Sequence, residues 1–163
     1  MKSVGVAVLI LTVLATTSAV YAQEGFGLGI IVGEPTGISI KSWLGGKHAI
    51  DAAGAWSFSE NQSFQFHSDY LVHLVGVLPP AVNQSQLSLF TGIGGRIKFK
   101  EGNEGKGRND DEHLLGVRIP LGISYLFAGA PVDLFVEVVP ILDVFPDTEF
   151  DINGAIGARF YFR

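Results

Sequence analysis

The stretch of this chain best equipped for chemistry is His67-Ser68-Asp69, a hydroxyl between a base and an acid. A serine hydrolase needs these three groups on one surface, where histidine takes the serine proton and the carboxylate orients the histidine. The flanking residues decide against that arrangement. Phe64, Phe66, Tyr70, Val72 and Leu74 alternate with Gln65, His67, Asp69 and His73, the period-2 pattern of a β-strand. Adjacent strand residues point to opposite faces, so Ser68 looks away from both His67 and Asp69. His67, Asp69 and His73 do share a face, which raises a metal site. His67 and His73 lie six positions apart, roughly 20 Å along an extended strand and too far for one ion. His48 and His113 fall at turn or strand ends. Gly92-Ile93-Gly94-Gly95 opens no helix and so is not a phosphate loop. Cysteine is absent, which excludes a thiol nucleophile, a zinc-thiolate centre, a disulfide framework and a thiol-linked lipid anchor. No catalytic residue, metal or cofactor is assigned.

The elements that carry these residues are short and alternating. Turn chemistry punctuates the chain at Glu34-Pro35-Thr36-Gly37, Gly45-Gly46-Lys47, Ser59-Glu60-Asn61-Gln62, a Pro-Pro and Asn-Gln-Ser stretch, Lys100 to Glu112, Ala128-Gly129-Ala130-Pro131 and Pro146-Asp147. Between them lie about eight strands: 25–33, 38–44, 49–58, 63–75, 87–99, 113–127, 132–145 and 150–162. Each has one apolar face. In the last, Phe150, Ile152, Gly154, Ile156, Ala158, Phe160 and Phe162 oppose Asp151, Asn153, Ala155, Gly157, Arg159 and Tyr161. In the seventh, Val132, Leu134, Val136, Val138, Leu142 and Val144 oppose Asp133, Glu137 and Asp143. Pro140 falls mid-strand on the apolar face, where a bulge is expected to accommodate it.

The N-terminus reads differently. Lys2 precedes an uncharged run from Val4 to Ala19, followed by Val20-Tyr21-Ala22. That order of charge, apolar stretch and small-residue site is a secretory signal, with cleavage expected after Ala22 and a domain over residues 23–163. The run is shorter than the roughly 20 residues that span a bilayer as a helix. Cleavage would remove Lys2 and no acid, taking the formal charge from −5 to −6. A mildly acidic chain with scattered Lys and Arg has no footprint for nucleic acid.

Alternation alone fits two opposite proteins, a soluble barrel with its apolar face inward and a membrane barrel with that face to lipid. Volume separates them. An eight-stranded barrel is just wide enough inside for side chains to fill. The large apolar set would overfill it, whereas the small and charged set fits if opposite charges pair. Lys41, Arg96, Lys98, Arg118 and Arg159 are therefore expected to face Asp51, Asp69, Asp133, Glu137, Asp143 and Asp151 in a lumen network. Phe26, Trp56, Phe58, Phe64, Tyr125, Phe127, Phe150, Phe160 and Phe162 gather at strand ends, where interfacial girdles would lie. The expected fold is an all-β, eight-stranded, antiparallel up-and-down transmembrane barrel.

The closing Gly157-Ala158-Arg159-Phe160-Tyr161-Phe162 resembles the C-terminal signal of outer-membrane barrels, with Phe160 and Phe162 as its aromatic residues and Arg163 as a departure from it. The mature chain is similar in architecture to the small barrels of the OmpA transmembrane-domain and OmpX class. Gly33-Glu34-Pro35-Thr36-Gly37-Ile38-Ser39-Ile40-Lys41 resembles a segment of uncharacterised bacterial families of small barrels. The resemblance implies export through the Sec pathway, the barrel-assembly machinery and outer-membrane lipid as partners, and an outer-membrane location. It implies no activity, and the external partner stays unassigned. With both termini in the periplasm, tips 34–37, 59–62, 100–112 and 146–149 would face outside, and turns 45–48, 76–86 and 128–131 inside. The expected role is structural or loop-mediated interaction through residues 100–112. The alternatives are a narrow ion channel, a lipid-modifying enzyme needing an outer-rim triad, and a soluble periplasmic barrel for an apolar ligand.

Overall fold

A computed structural model describes residues 25–57, 63–74, 77, 86–100 and 112–162. The signal segment 1–22, the tip 59–62, most of the 76–86 turn, the loop 101–111 and Arg163 lie outside the described residues. The described chain forms nine antiparallel strands: β1 (Phe26–Glu34), β2 (Thr36–Gly45), β3 (His48–Ser57), β4 (Ser63–Leu74), β5 (Leu87–Lys100), β6 (Glu112–Arg118), β7 (Leu121–Leu126), β8 (Val132–Phe145) and β9 (Glu149–Phe162). Sequence neighbours pair with one another except β6 with β7, and β1 pairs with β9 from Phe26↔Phe162 to Glu34↔Gly154, closing the sheet into a ring. Among the described residues closure leaves every strand paired on both sides.

The local chemistry accounts for the turns. Gly45 and Gly46 have φ of 107° and 59°, and the tight β2–β3 hairpin they make needs this left-handed backbone. At the other end Thr36 Oγ1 accepts from the Gly33 amide at 3.1 Å and donates to the Gly33 carbonyl at 3.0 Å. This bracket shortens the expected 34–37 turn, so β2 starts at Thr36 and Pro35 alone stands between the strands.

The expected single strand over 113–127 is divided, with β6 and β7 separated by Ile119-Pro120. Both halves pair with β5 and with β8, and the register is continuous across the gap on both sides. Two prolines explain the break. The Gly92 amide donates to the Pro120 carbonyl at 3.0 Å, but Pro120 has no N–H to return. The Ile119 amide likewise donates to the Pro140 carbonyl at 3.0 Å, and Pro140 returns nothing. The bulge expected at Pro140 is not there: Pro140 pairs in register with Ile152. The irregularity in β8 sits near Val144, where Leu115 pairs with Phe145 and Gly116 with Asp143.

The faces follow the alternation. On β4 the inward residues Ser63, Gln65, His67, Asp69, Leu71 and His73 are all buried, and on β8 Val136 and Val138 stand out beside buried Phe135 and Glu137. Arg118 and Lys41 are 1% exposed, while Phe150 and Ile93 are 64% and 60% exposed. The arrangement with the apolar face inward is therefore not the one this chain adopts. The lumen also takes large side chains. Ile31, Leu71, Phe90 and Phe135 join Ala49, Ala53 and Ala155 in its apolar cluster, with Trp43 against them.

The register also fixes the tilt. Stepping across paired residues from Ile97 through Phe66, Gly54, Ile38, Ile30, Ala158, Leu134 and Tyr125 returns to β5 at Leu87, ten residues from the start. Strands joined with such an offset must run obliquely to the ring's axis.

Candidate functional site

The lumen is where this fold concentrates polar chemistry, and its side chains come from every strand by parity alone. Lys41, Asp51, Asp69, Arg96, Arg118, Asp133, Glu137, Asp143 and Arg159 are buried, and Asp151 and Lys98 are half-buried on the same inner face. The ring brings them together in three groups. Toward the end away from the termini, the Arg96 guanidinium clamps Asp143 through Nε at 3.0 Å and Nη2 at 2.5 Å, and Nη2 also reaches Asp151 at 2.9 Å. Lys98 lies in electrostatic range of Asp151. In the middle, Arg118 Nε donates to both oxygens of Asp69 at 3.0 and 3.1 Å.

Nearer the termini, Arg159 holds the third group. Its Nη2 donates to Asp51 at 3.1 Å, its Nε to Ser39 Oγ at 2.9 Å, and its Nη1 stands 3.8 Å from Asp133. The guanidinium also lies 3.8 Å over the Phe135 ring, so one face is stacked while the edge bonds. Asp133 receives a further bond from the Tyr161 hydroxyl at 2.8 Å. Arg96–Asp143, Arg118–Asp69 and Arg159–Asp51 join strands that are not consecutive in the chain, whereas the contacts of Asp133 with Arg159 and Tyr161 lie within the β8–β9 hairpin.

Two of the expected charges behave differently. Lys41 makes no ion pair among the described residues. Its ammonium contacts His73 Nε2 at 2.8 Å and lies 4.4 Å from the Trp43 ring centre, while His73 Nδ1 is 3.0 Å from Ser88 Oγ. His73 in turn packs on Trp43 and Phe90 at 4.5 and 5.4 Å. Glu137 is 5% exposed with neither hydrogen bond nor ion pair among the described residues. It pairs in register with Gly122 and Ala155. Arg96 Nη1, Arg118 Nη1, Asp51 Oδ1 and Asp133 Oδ1 have no partner either. Buried groups of this kind are met by internal water where space allows.

The residues first weighed for chemistry are now placed. Ser68 points outward and donates to the Asp51 carbonyl at 3.0 Å, while His67 and Asp69 point inward. His67 touches Gln65 at 3.4 Å, and Asp69 is taken by Arg118. His48 accepts from or donates to the Tyr70 hydroxyl at 2.8 Å on the outer face, and His113 stacks edge-on with Phe99. Among the described residues no three acidic or histidine side chains converge on a common metal position. Gly94 marks a crowded lumen, because a Cβ there would strike the Asp69 carboxylate and the Ser68 carbonyl.

Sequence reasoning did not assign Trp43, Phe90 and Phe135 to the lumen. Their signal was present. Trp43 has the parity of Lys41, Phe135 that of Asp133 and Glu137, and Phe90 that of Arg96.

The outer face carries aromatics in two bands. At the far end Trp56, Phe64, Phe99 and His113 are direct cross-strand neighbours, with ring centres 5.4, 6.3 and 5.1 Å apart in turn. At the termini end lie the pairs Tyr125–Phe127 at 5.0 Å and Phe160–Phe162 at 5.1 Å.

Comparison with known proteins agrees with this architecture. A family model described as protein of unknown function DUF3996 matches residues 17–162. The chain belongs to that family. Among solved structures it is similar to the N-terminal β-barrel domain of Pseudomonas aeruginosa OprF, with a TM-score of 0.65 at 13% identity. The match covers 84% of this chain and 95% of the OprF domain, and it establishes the barrel fold of this DUF3996 member. No curated protein matches the chain.

Proposed function

We propose that this DUF3996 protein is an exported outer-membrane barrel whose role is structural or loop-mediated, with a side-chain-filled lumen and recognition carried by residues 100–112. The observation that carries the reading is the inversion of its faces: arginine and aspartate inside, leucine, valine, isoleucine and phenylalanine outside. Exposed apolar patches of this extent do not persist in water. A hydrocarbon solvent reverses the cost.

Dimensions support it. Counting β6 and β7 as one interrupted strand gives eight strands with a shear of ten. With ~3.3 Å per residue and ~4.8 Å between strands, that ratio sets a tilt of about 40°. Phe150 and Phe160 are ten residues apart on one outer face, so the two aromatic bands stand roughly 25 Å apart, the height of a lipid-facing band. Similarity to the OprF domain adds to the case. The polar end of the molecule that faces outside would then be the one opposite the termini.

A second reading, a narrow ion path, draws on the unpartnered atoms of Arg96, Arg118, Asp51 and Asp133 in the lumen. Against it, Arg159, Phe135 and Tyr161 fill the cross-section near the termini. Fractionation of cells followed by electrophoresis with and without boiling tests the first reading. Recovery with the outer membrane and a boiling-dependent shift in mobility are expected; a soluble protein of fixed mobility would refute it. Steady conductance steps in planar bilayers would replace the filled-lumen reading with the second.

A further inference from the structure

On the outer wall beside the Pro120 break lies a groove of about 530 Å³ lined by Leu74, Leu89, Thr91, Leu121, Ile123, Val136 and Val138. Phe90, Gly122 and Glu137, adjacent in register and turned to the inner face, complete the lining. The lining comes from β4, β5, β7 and β8, so the groove crosses four adjacent strands, roughly 14 Å at ~4.8 Å per step. Its volume is that of a small-molecule pocket, within the ~300–1,000 Å³ range.

We infer that this groove holds one acyl chain of a membrane phospholipid as a retained lipid, an inference that rests on the outer-membrane reading above. The shape favours a chain over a second copy. A barrel wall is convex and cannot enter a concave groove of this size, whereas a single hydrocarbon chain can lie along it. The chemistry agrees, because every outward-facing lining side chain is apolar except Thr91, and the one charged residue of the lining, Glu137, is buried on the inner face. The position supplies the rest. The groove opens on the apolar band between the two aromatic bands, and the Tyr125–Phe127 pair lies directly below it on β7 and the turn after it. Aromatic residues with a polar tip are suited to the level at which a headgroup sits. A chain anchored there would run up from the termini-end leaflet into the groove. The shape itself has a local cause. With the short Thr91 set among longer aliphatic side chains, the wall dips between the ridges of Leu74–Leu89 and Val136–Val138.

The test is native mass spectrometry of the full protein, released in mild detergent after incubation with palmitoyl-oleoyl-phosphatidylethanolamine vesicles. One bound phospholipid per barrel is expected. Thr91→Trp fills the groove and should lower that occupancy at least fivefold, while Ile40→Trp, outward on β2 and away from the groove, should leave it unchanged. Boiling-dependent mobility confirms that each variant is folded, and Ile123→Trp decides the matter if Thr91→Trp is not. No adduct in the wild type, or equal occupancy in all variants, overturns the inference while a heat-modifiable outer-membrane barrel stands. A dimer mass abolished by Thr91→Trp assigns the groove to a second copy and likewise overturns it. A soluble protein would sink both readings together.

Discussion

A guanidinium enclosed by a closed sheet has little water to fall back on, so its partners carry its full cost. Arg159 serves Asp51, Asp133 and Ser39 at once and is stacked on Phe135. Replacing both members of such a group by apolar residues can be neutral, but removing one leaves uncompensated charge behind. Arg159→Met should therefore destabilise the barrel by about 3–5 kcal/mol, read as urea unfolding in vesicles by tryptophan fluorescence. Asp147→Asn, on the exposed β8–β9 turn, should change it by less than about 0.5 kcal/mol. The glycines offer a second contrast within one strand. A Cβ on Gly94 overlaps Asp69 and the Ser68 carbonyl, whereas one on Gly95 meets only the Gly116 carbonyl at 3.7 Å. Gly94→Ala should cost about 1–3 kcal/mol and Gly95→Ala much less in the same assay.

Among the strands, β6 and β7 share one register and differ from their neighbours only in missing bonds. Pro120 withholds a donor from Gly92 on β5, and Pro140 on β8 withholds one from Ile119, so the two losses meet at the adjacent positions 119 and 120. Pro120→Ala supplies the donor that Gly92 lacks. Amide exchange at Leu121 and Gly92 should slow markedly, measured by hydrogen exchange in detergent micelles. Global stability should move by less than about 1 kcal/mol, since one bond gained is offset by the freer unfolded chain. An unchanged exchange rate would mean that the break has another cause. The positions of the strands themselves were legible, because turn residues and period-2 alternation are local signals. The division at Pro120 was not, because it depends on Pro140 lying across from Ile119, a pairing that sequence order does not display.

At the scale of the whole molecule the question is which solvent touches the wall. Ile93 is 60% exposed and lies midway along the outer face, opposite Tyr70 in register. In a bilayer Ile93→Arg should cost about 2–4 kcal/mol, the penalty for a cation at mid-depth. The measurement is the urea midpoint of the variant refolded into phospholipid vesicles. A penalty near zero would argue that this face never meets hydrocarbon. The inner face has the opposite character, its buried charges gathered in three arginine-centred groups.

What the sequence determined alone was the parity of each strand, and with it which residues face inward. Lys41, Asp51, Asp69, Arg96, Arg118, Asp133, Glu137, Asp143 and Arg159 all lie where alternation puts them, since opposite faces follow from backbone pleating within a single strand. The partners were decided only by the tertiary structure. Arg159 meets Asp51 from 108 positions away, and Lys41 meets His73 and Trp43 in place of a carboxylate. Height around the ring depends on every register at once, and the ten-residue offset at closure sets it. No local pattern encodes that sum, so the faces could be read from the chain, and the network could be read only from the closed barrel.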